Sequence, residues 1–216
     1  DELGFLMTFN SVKKTMNQLD DMDNYSYSTT SGGELFKQSI MDWTFREYKA
    51  ELLDKLYCEV IATPGGSGAI GISIANYLNP GEYLITSDLG WGNYSVIAYE
   101  NYNNIINYRL FDDNYHFNMD SFKDAVNKSV LEQNRAFIII NDPCHNPSGF
   151  RLNFSEWQEI VSFLNGFSCP IILFLDMAYI DYLPEGLDES RQVFRLFKEL
   201  NDNILVNLGF SGSKTF

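Results

Sequence analysis

The chain moves between short apolar runs and stretches in which apolar residues recur at helical spacing. Phe36, Ile40, Tyr48, Leu52 and Leu56 keep that spacing across residues 34–56, which predicts a helix. A strand-then-helix rhythm follows. Residues 57–63 read as a strand and 69–78 as a helix, and Asn79, Pro80 and Gly81 form a turn before a strand at 83–86. A helix over 94–102 leads to a strand at 105–110. Asn118 or Asp120 is placed to cap a helix ending near 132, and 136–140 is an almost purely apolar strand. Ser155 opens a helix to about 164, Pro170 introduces a strand at 171–175, a helix lies near 192–200, and 204–208 is the last strand.

Strands that alternate with helices imply a three-layer α/β/α architecture with a parallel or mostly parallel sheet. Strands that are apolar on both faces, such as 137–140, agree with that. Residues 1–33 are polar and rich in Ser, Thr and Asn, so they read as an arm or extended lead-in to a domain over 34–216. In open α/β sheets the ligand sits beyond the carboxyl ends of the strands. Chemistry is therefore expected in the segments 64–69, 87–91, 141–149, 176–179 and 211–214.

Composition narrows the picture. The 216 residues are 45% hydrophobic and 15% aromatic, enough for a real core and against disorder. A formal charge of −14 repels phosphate backbones, so no nucleic-acid partner is expected. Cys58, Cys144 and Cys169 are odd in number and widely spaced, which argues against a disulfide framework and for a reducing cytosol. With only His116 and His145 besides, a metal site has few soft ligands. No apolar run reaches ~18 residues, so no membrane span is expected, and no signal-peptide pattern opens the chain. The missing initiator Met suggests that the first residues of the gene product are absent.

Five motifs carry candidate chemistry. Gly65-Gly66-Ser67-Gly68-Ala69 follows a predicted strand and opens a helix, where backbone N–H groups and the helix dipole favour a phosphate. Gly66, Gly68 and Gly71 also fit a dinucleotide fingerprint with Asp88 as its acid, and the glycines can equally form a plain tight turn. Trp91, between glycines, is open to stack on a flat heteroaromatic ring or simply to start a helix in the core. Asn146, in His145-Asn146-Pro147-Ser148-Gly149, sits on a turn from which its amide can donate to a phenolate. A Cys144–His145 nucleophile pair is disfavoured because adjacent side chains rarely face each other. Asp176 ends an apolar strand and needs a partner, either a protonated ring nitrogen or a cap or ion pair. Lys214 follows the last strand and Ser211-Gly212-Ser213; it is an ordinary exposed lysine unless a carbonyl cofactor lies nearby.

Taken in order, these motifs resemble the fold-type I aminotransferases that use pyridoxal 5'-phosphate (PLP), above all the aspartate and aromatic amino acid enzymes. The resemblance runs from about Tyr27 to the last residue. It implies the large PLP-binding domain of that fold, without its small C-terminal domain. It further implies that Gly66, Ser67 and Ser211 hold the cofactor phosphate and that Trp91 stacks on the pyridine ring. Asn146 and Tyr179 would hydrogen-bond its phenolic oxygen, and Asp176 would pair with the ring nitrogen. Lys214 would carry the cofactor as an internal aldimine and then move the substrate proton. Tyr27 is similar to a family tyrosine that reaches the phosphate of a neighbouring subunit, which implies a homodimer with shared sites. The implied reaction is transamination between an amino acid and a 2-oxo acid. A same-fold PLP lyase or decarboxylase is the alternative, and an NAD-dependent dehydrogenase a more distant one.

Three departures shape the expectation. The family carries an Arg beyond the lysine for the phosphate and another far downstream for the substrate carboxylate, and both lie past Phe216. The strand that follows the lysine segment, which in the family sits between the first strand and the rest of the sheet, is also past the end. A gap and open strand edges are therefore expected, in an incomplete domain for which activity by itself is not implied. Finally, Asn141 stands where aspartate aminotransferases often have a histidine supporting the buried Asp.

Overall fold

A computed structural model of the chain describes residues 9–215 except Glu185 and Asp188. Its centre is a parallel sheet built from β1 (Tyr83–Ser87), β2 (Asn104–Tyr108), β3 (Ala136–Asn141), β4 (Ile171–Asp176) and β5 (Ile204–Gly209). The strand order is β2-β1-β3-β4-β5, with every pair parallel. The helices are α1 (Asn10–Met16), α2 (Asp21–Tyr25), α3 (Glu34–Phe45), α4 (Lys49–Leu53), α5 (Gly65–Tyr77), α6 (Asn93–Glu100), α7 (Met119–Gln133) and α8 (Phe154–Leu164).

The period-two alternation of the central strands divides the core. On one face Phe137, Ile139, Ile172 and Phe174 pack with Ile70 and Ile74 of α5 and Tyr94 and Ala98 of α6. On the other, Ile138, Ile140, Leu173 and Leu175 meet Phe122 and Val126 of α7, Trp157 and Ile160 of α8, and Phe194. Every residue of β3 and β4 is buried, which is why their sequences are apolar up to the terminal Asn141 and Asp176. Capping fixes where the helices start. Asn118 accepts from Ser121 N to open α7, and Asn153 with Glu156 forms a capping box on α8.

The sheet ends at β5: among the described residues its one strand neighbour is β4. Residues 57–63, expected as a strand, form none. Ala62 N bonds to Ser31 O at 3.0 Å, and a cavity of about 200 Å³ separates Tyr57 and Cys58 from Ile204, Leu205 and Leu208. Extended propensity alone does not make a strand; a ladder partner is needed, and β5 stands across the cavity.

Residues 34–56 are not one helix. The backbone turns at Arg46, whose φ is 46°, and passes through a 3₁₀ turn (Arg46–Tyr48) into α4. The carbonyls of Trp43 and Thr44 at the end of α3 are taken by the buried Arg191 guanidinium instead of by a further helical turn. The helix expected near 192–200 is a 3₁₀ helix (Glu189–Glu199). The described residues before α3 are mostly exposed and include α1 and α2.

Candidate active site

Register brings the site together. Asn141 pairs with Asp176 and Asp176 with Gly209, so the carboxyl ends of β3, β4 and β5 form one row. Gly209 is required there: a Cβ on it would lie 2.6 Å from the Phe174 ring. Just beyond the row, the amino end of α5 faces the segment after β5. A Cβ built on Gly66 would reach only 4.0 Å from Ser211 Cβ, and Gly65 turns the chain with φ +67°. No side chain caps α5, so its amino end presents backbone donors and the positive pole of a long helix. Ser67 is exposed at the same helix end, and Ser211 Oγ lies 3.0 Å from Ser213 Oγ.

Asp176 is buried. Its Oδ2 accepts from the Tyr94 phenol at 2.5 Å and its Oδ1 from Ala178 N at 3.2 Å. Burial raises its pKa above the ordinary carboxylate value, and these two hydrogen bonds oppose the rise. Burial, then the Asp176 charge, pushes the Tyr94 phenol far up, so Tyr94 is the donor. The Trp91 ring stands edge-on to Tyr94, with centroids 5.6 Å apart.

The loop after β3 is tied to the same point. Asn141 Nδ2 donates to the Asp176 carbonyl at 2.9 Å, and Asn141 Oδ1 accepts from Asn146 N at 2.7 Å. Asn141, noted as a departure from the histidine that supports the buried Asp in aspartate aminotransferases, holds the Asp176 backbone carbonyl, and the Asp176 carboxylate is held by Tyr94. Asp142 accepts from Leu152 N and Trp157 Nε1, and burial pushes its carboxyl up to about 6. The ring nitrogens of His145 contact Ser87 Oγ at 3.2 Å and Ser148 Oγ at 2.8 Å, and burial lowers its pKa.

A family model of aminotransferase class I and II matches residues 2–216. The chain belongs to that family. A solved aminotransferase from Anaerococcus prevotii is 32% identical with a TM-score of 0.92, covering 99% of this chain and 52% of that one. The mitochondrial aspartate aminotransferase of Saccharomyces cerevisiae is 23% identical over 93% of this chain and 48% of its own length. An aromatic-amino-acid aminotransferase of Burkholderia pseudomallei, solved covalently bound to pyridoxal phosphate, shares the fold at 23% identity and a TM-score of 0.75, covering 94% of this chain and 49% of that one. This aminotransferase chain therefore spans about half the length of the relatives it matches.

Within the aminotransferase chain, Gly66 and Ser211 face each other, and Trp91, Asp176 and Asn146 are linked through Tyr94 and Asn141. Tyr179 packs on Tyr182 with centroids 5.9 Å apart, and the Tyr182 phenol donates to the Lys214 carbonyl. The Lys214 side chain is exposed. Tyr27 is 96% exposed and is not brought to the other site residues of its own chain. Asp88, the acid of the dinucleotide alternative, spends Oδ1 on Leu89 N and Leu110 N, tying β1 to the end of β2.

Tyr94, Asp181 and Tyr182 were not singled out from sequence. Tyr94 lies three residues after Trp91, but the Asp176 carboxylate that it serves is brought beside it only by the fold. Among the described residues no His, Cys, Asp and Glu cluster is arranged to hold a metal ion. Among the same residues no helix is long and apolar enough to cross a membrane.

Proposed function

We propose that this chain is the cofactor-binding part of a PLP-dependent aminotransferase that exchanges an amino group between an amino acid and a 2-oxo acid. The observation that carries the reading is the buried Asp176 carboxylate, held by Tyr94 at the carboxyl edge of the sheet in the same row as Asn141 and Gly209. A carboxylate there is costly unless it meets a positive partner, and a protonated ring nitrogen is one. The donor set fits the rest of such a cofactor. The uncapped end of α5 and Ser211 suit a phosphate, and the Gly66–Ser211 gap is a cradle that a larger residue would narrow.

In this reading Gly66, Ser67 and Ser211 hold the phosphate, Trp91 covers the ring, and Asn146 and Tyr179 donate to its phenolic oxygen. Asp176 keeps the ring nitrogen protonated. When bound, PLP supplies an electron sink for the substrate carbon that bears the amine. Lys214 would anchor the cofactor, and its amine, when free, would accept the proton from substrate Cα and donate it to the cofactor carbon that comes to bear the amino group. Tyr27 reaches the phosphate of a second copy in a homodimer, an assignment supported by its exposure. A reducing cytosol completes the proposal, in keeping with three free cysteines.

The test is absorbance after adding PLP. We expect a near-visible band that borohydride abolishes, leaving a modified Lys214, and no such band in Lys214→Ala. An identical band in that variant would overturn the assignment, as would saturable NADH binding in place of PLP.

A further inference from the structure

We propose that Asp181 and Tyr182 are positioning residues that fix the lysine loop against the turn carrying Asp176 and Tyr179. The inference rests on the reading of Lys214 as the cofactor anchor. Two consecutive residues grip the loop at neighbouring points: the Tyr182 phenol donates to the Lys214 carbonyl, and Thr215 Oγ1 donates to Asp181 Oδ2 at 2.8 Å. Both grips come from the turn that leaves β4, which closes on itself through Ile180 N to Met177 O and Tyr182 N to Tyr179 O.

Asp181 can serve as an anchor because it is itself immobilised. Its Oδ1 accepts from Arg191 Nη2 at 2.7 Å, and Oδ2 also takes the Trp43 indole N–H at 3.0 Å. The side chains of this pair are 0% (Arg191) and 7% (Asp181) exposed. Arg191 is fixed in turn by Thr44 O at 3.0 Å, Leu187 O at 2.7 Å and Ser190 Oγ at 2.9 Å. A buried ion pair with its donors satisfied is a rigid point, and Thr215 is hung from it.

The chemical consequence follows from the length of a lysine side chain. Its amine sweeps a large volume unless the backbone that bears it is fixed, and holding that backbone raises the local concentration of the amine at one place. The same turn carries Asp176 and Tyr179, so the lysine is registered against the residues assigned to the ring.

The experiment uses the full chain with PLP as the probe, comparing Thr215→Val, Thr215→Ser, Tyr182→Phe and the Thr215→Val/Tyr182→Phe double variant. The readouts are the rate at which the near-visible band forms, its borohydride trapping on Lys214, and its midpoint in a spectroscopic pH titration. We expect the double variant to form the band about tenfold more slowly, with a displaced midpoint and an unchanged thermal unfolding transition. Thr215→Ser, which keeps the hydroxyl, retains the original rate. A double variant with unaltered rate and midpoint overturns the proposal. If the double variant no longer unfolds cooperatively, Thr215→Val against Thr215→Ser decides, and equal rates overturn it. Absence of the band from the unaltered chain would instead strike at the assignment of Lys214.

Discussion

The phenol of Tyr94 donates to Oδ2 of Asp176 across 2.5 Å, from the first turn of α6 to the last residue of β4. This bond and the one from Ala178 N restrain a carboxyl that burial is driving upward. Tyr94→Phe removes the stronger of them without leaving a hole. We expect the Asp176 pKa to move further up, read by carbon NMR of labelled aspartate. Because a raised carboxyl favours the folded state only while protonated, the variant should lose stability as pH rises, by about 1–3 kcal/mol near pH 8. A pKa that stays or falls would refute the restraint.

Asp142 gives a second pH signature. Its carboxyl lies at about 6 in the folded chain, against about 3.9 unfolded. The folded state therefore holds this proton more tightly. The stabilisation is complete below about pH 4 and is lost as pH rises through about 6. Urea unfolding of the chain and of Asp142→Asn isolates it. The variant loses one of the bonds from Leu152 N and Trp157 Nε1 at every pH. The difference between the two proteins should shift in the variant's favour by about 2 kcal/mol from pH 4 to pH 8. A flat difference would count against a raised pKa.

Asn141 joins two loops by donating to Asp176 O and accepting from Asn146 N. Asn141→Asp keeps the acceptor and loses the donor, whereas Asn141→Ala loses both. Amide exchange at Asn146 should quicken in Asn141→Ala and stay slow in Asn141→Asp. Stability should fall by about 1–3 kcal/mol in the alanine variant. Equal exchange in both would show that the loop is held by something else.

Arg191 is predicted to be the most sensitive polar residue outside the candidate site. Arg191→Met leaves the Asp181 carboxylate buried without its cation and the α3 carbonyls uncapped. A loss of about 3–5 kcal/mol in urea unfolding is expected. Replacing both members, Arg191→Met with Asp181→Leu, should recover a large part of that loss. If the double replacement is no better than the single one, the pair's burial is not what makes it sensitive.

How much of this was legible follows from what each residue has to satisfy. β3 and β4 could be read because a strand buried on both faces is apolar along its body, and their polar ends and the loops after them are where chemistry is expected. Residues 57–63 could not, since their extended propensity says nothing about whether a ladder partner stands beside them. Tyr94 was hidden because most of it is core: its ring packs with Ile70 and Ile74, and only the hydroxyl serves Asp176. Arg191 carried no pattern at all. Its partners Trp43 and Thr44 are distant in sequence, Asp181 lies on the turn after β4, and only folding assembles them. Asn141 was legible as a departure beside the right strand end, but that its amide would hold the Asp176 carbonyl depends on the register of β3 with β4, which only the fold shows.

The row formed by Asn141, Asp176 and Gly209 has a consequence for error tolerance. A slip of β4 by a single residue would exchange Phe174 with Leu173 between the two cores and drive the Phe174 ring away from the notch that Gly209 leaves for it. Misplacing the carboxylate and spoiling the core are therefore the same event. The candidate site is proofread by hydrophobic packing, and single-residue insertions or deletions within Ile171–Asp176 should be rejected at folding, before any question of catalysis arises.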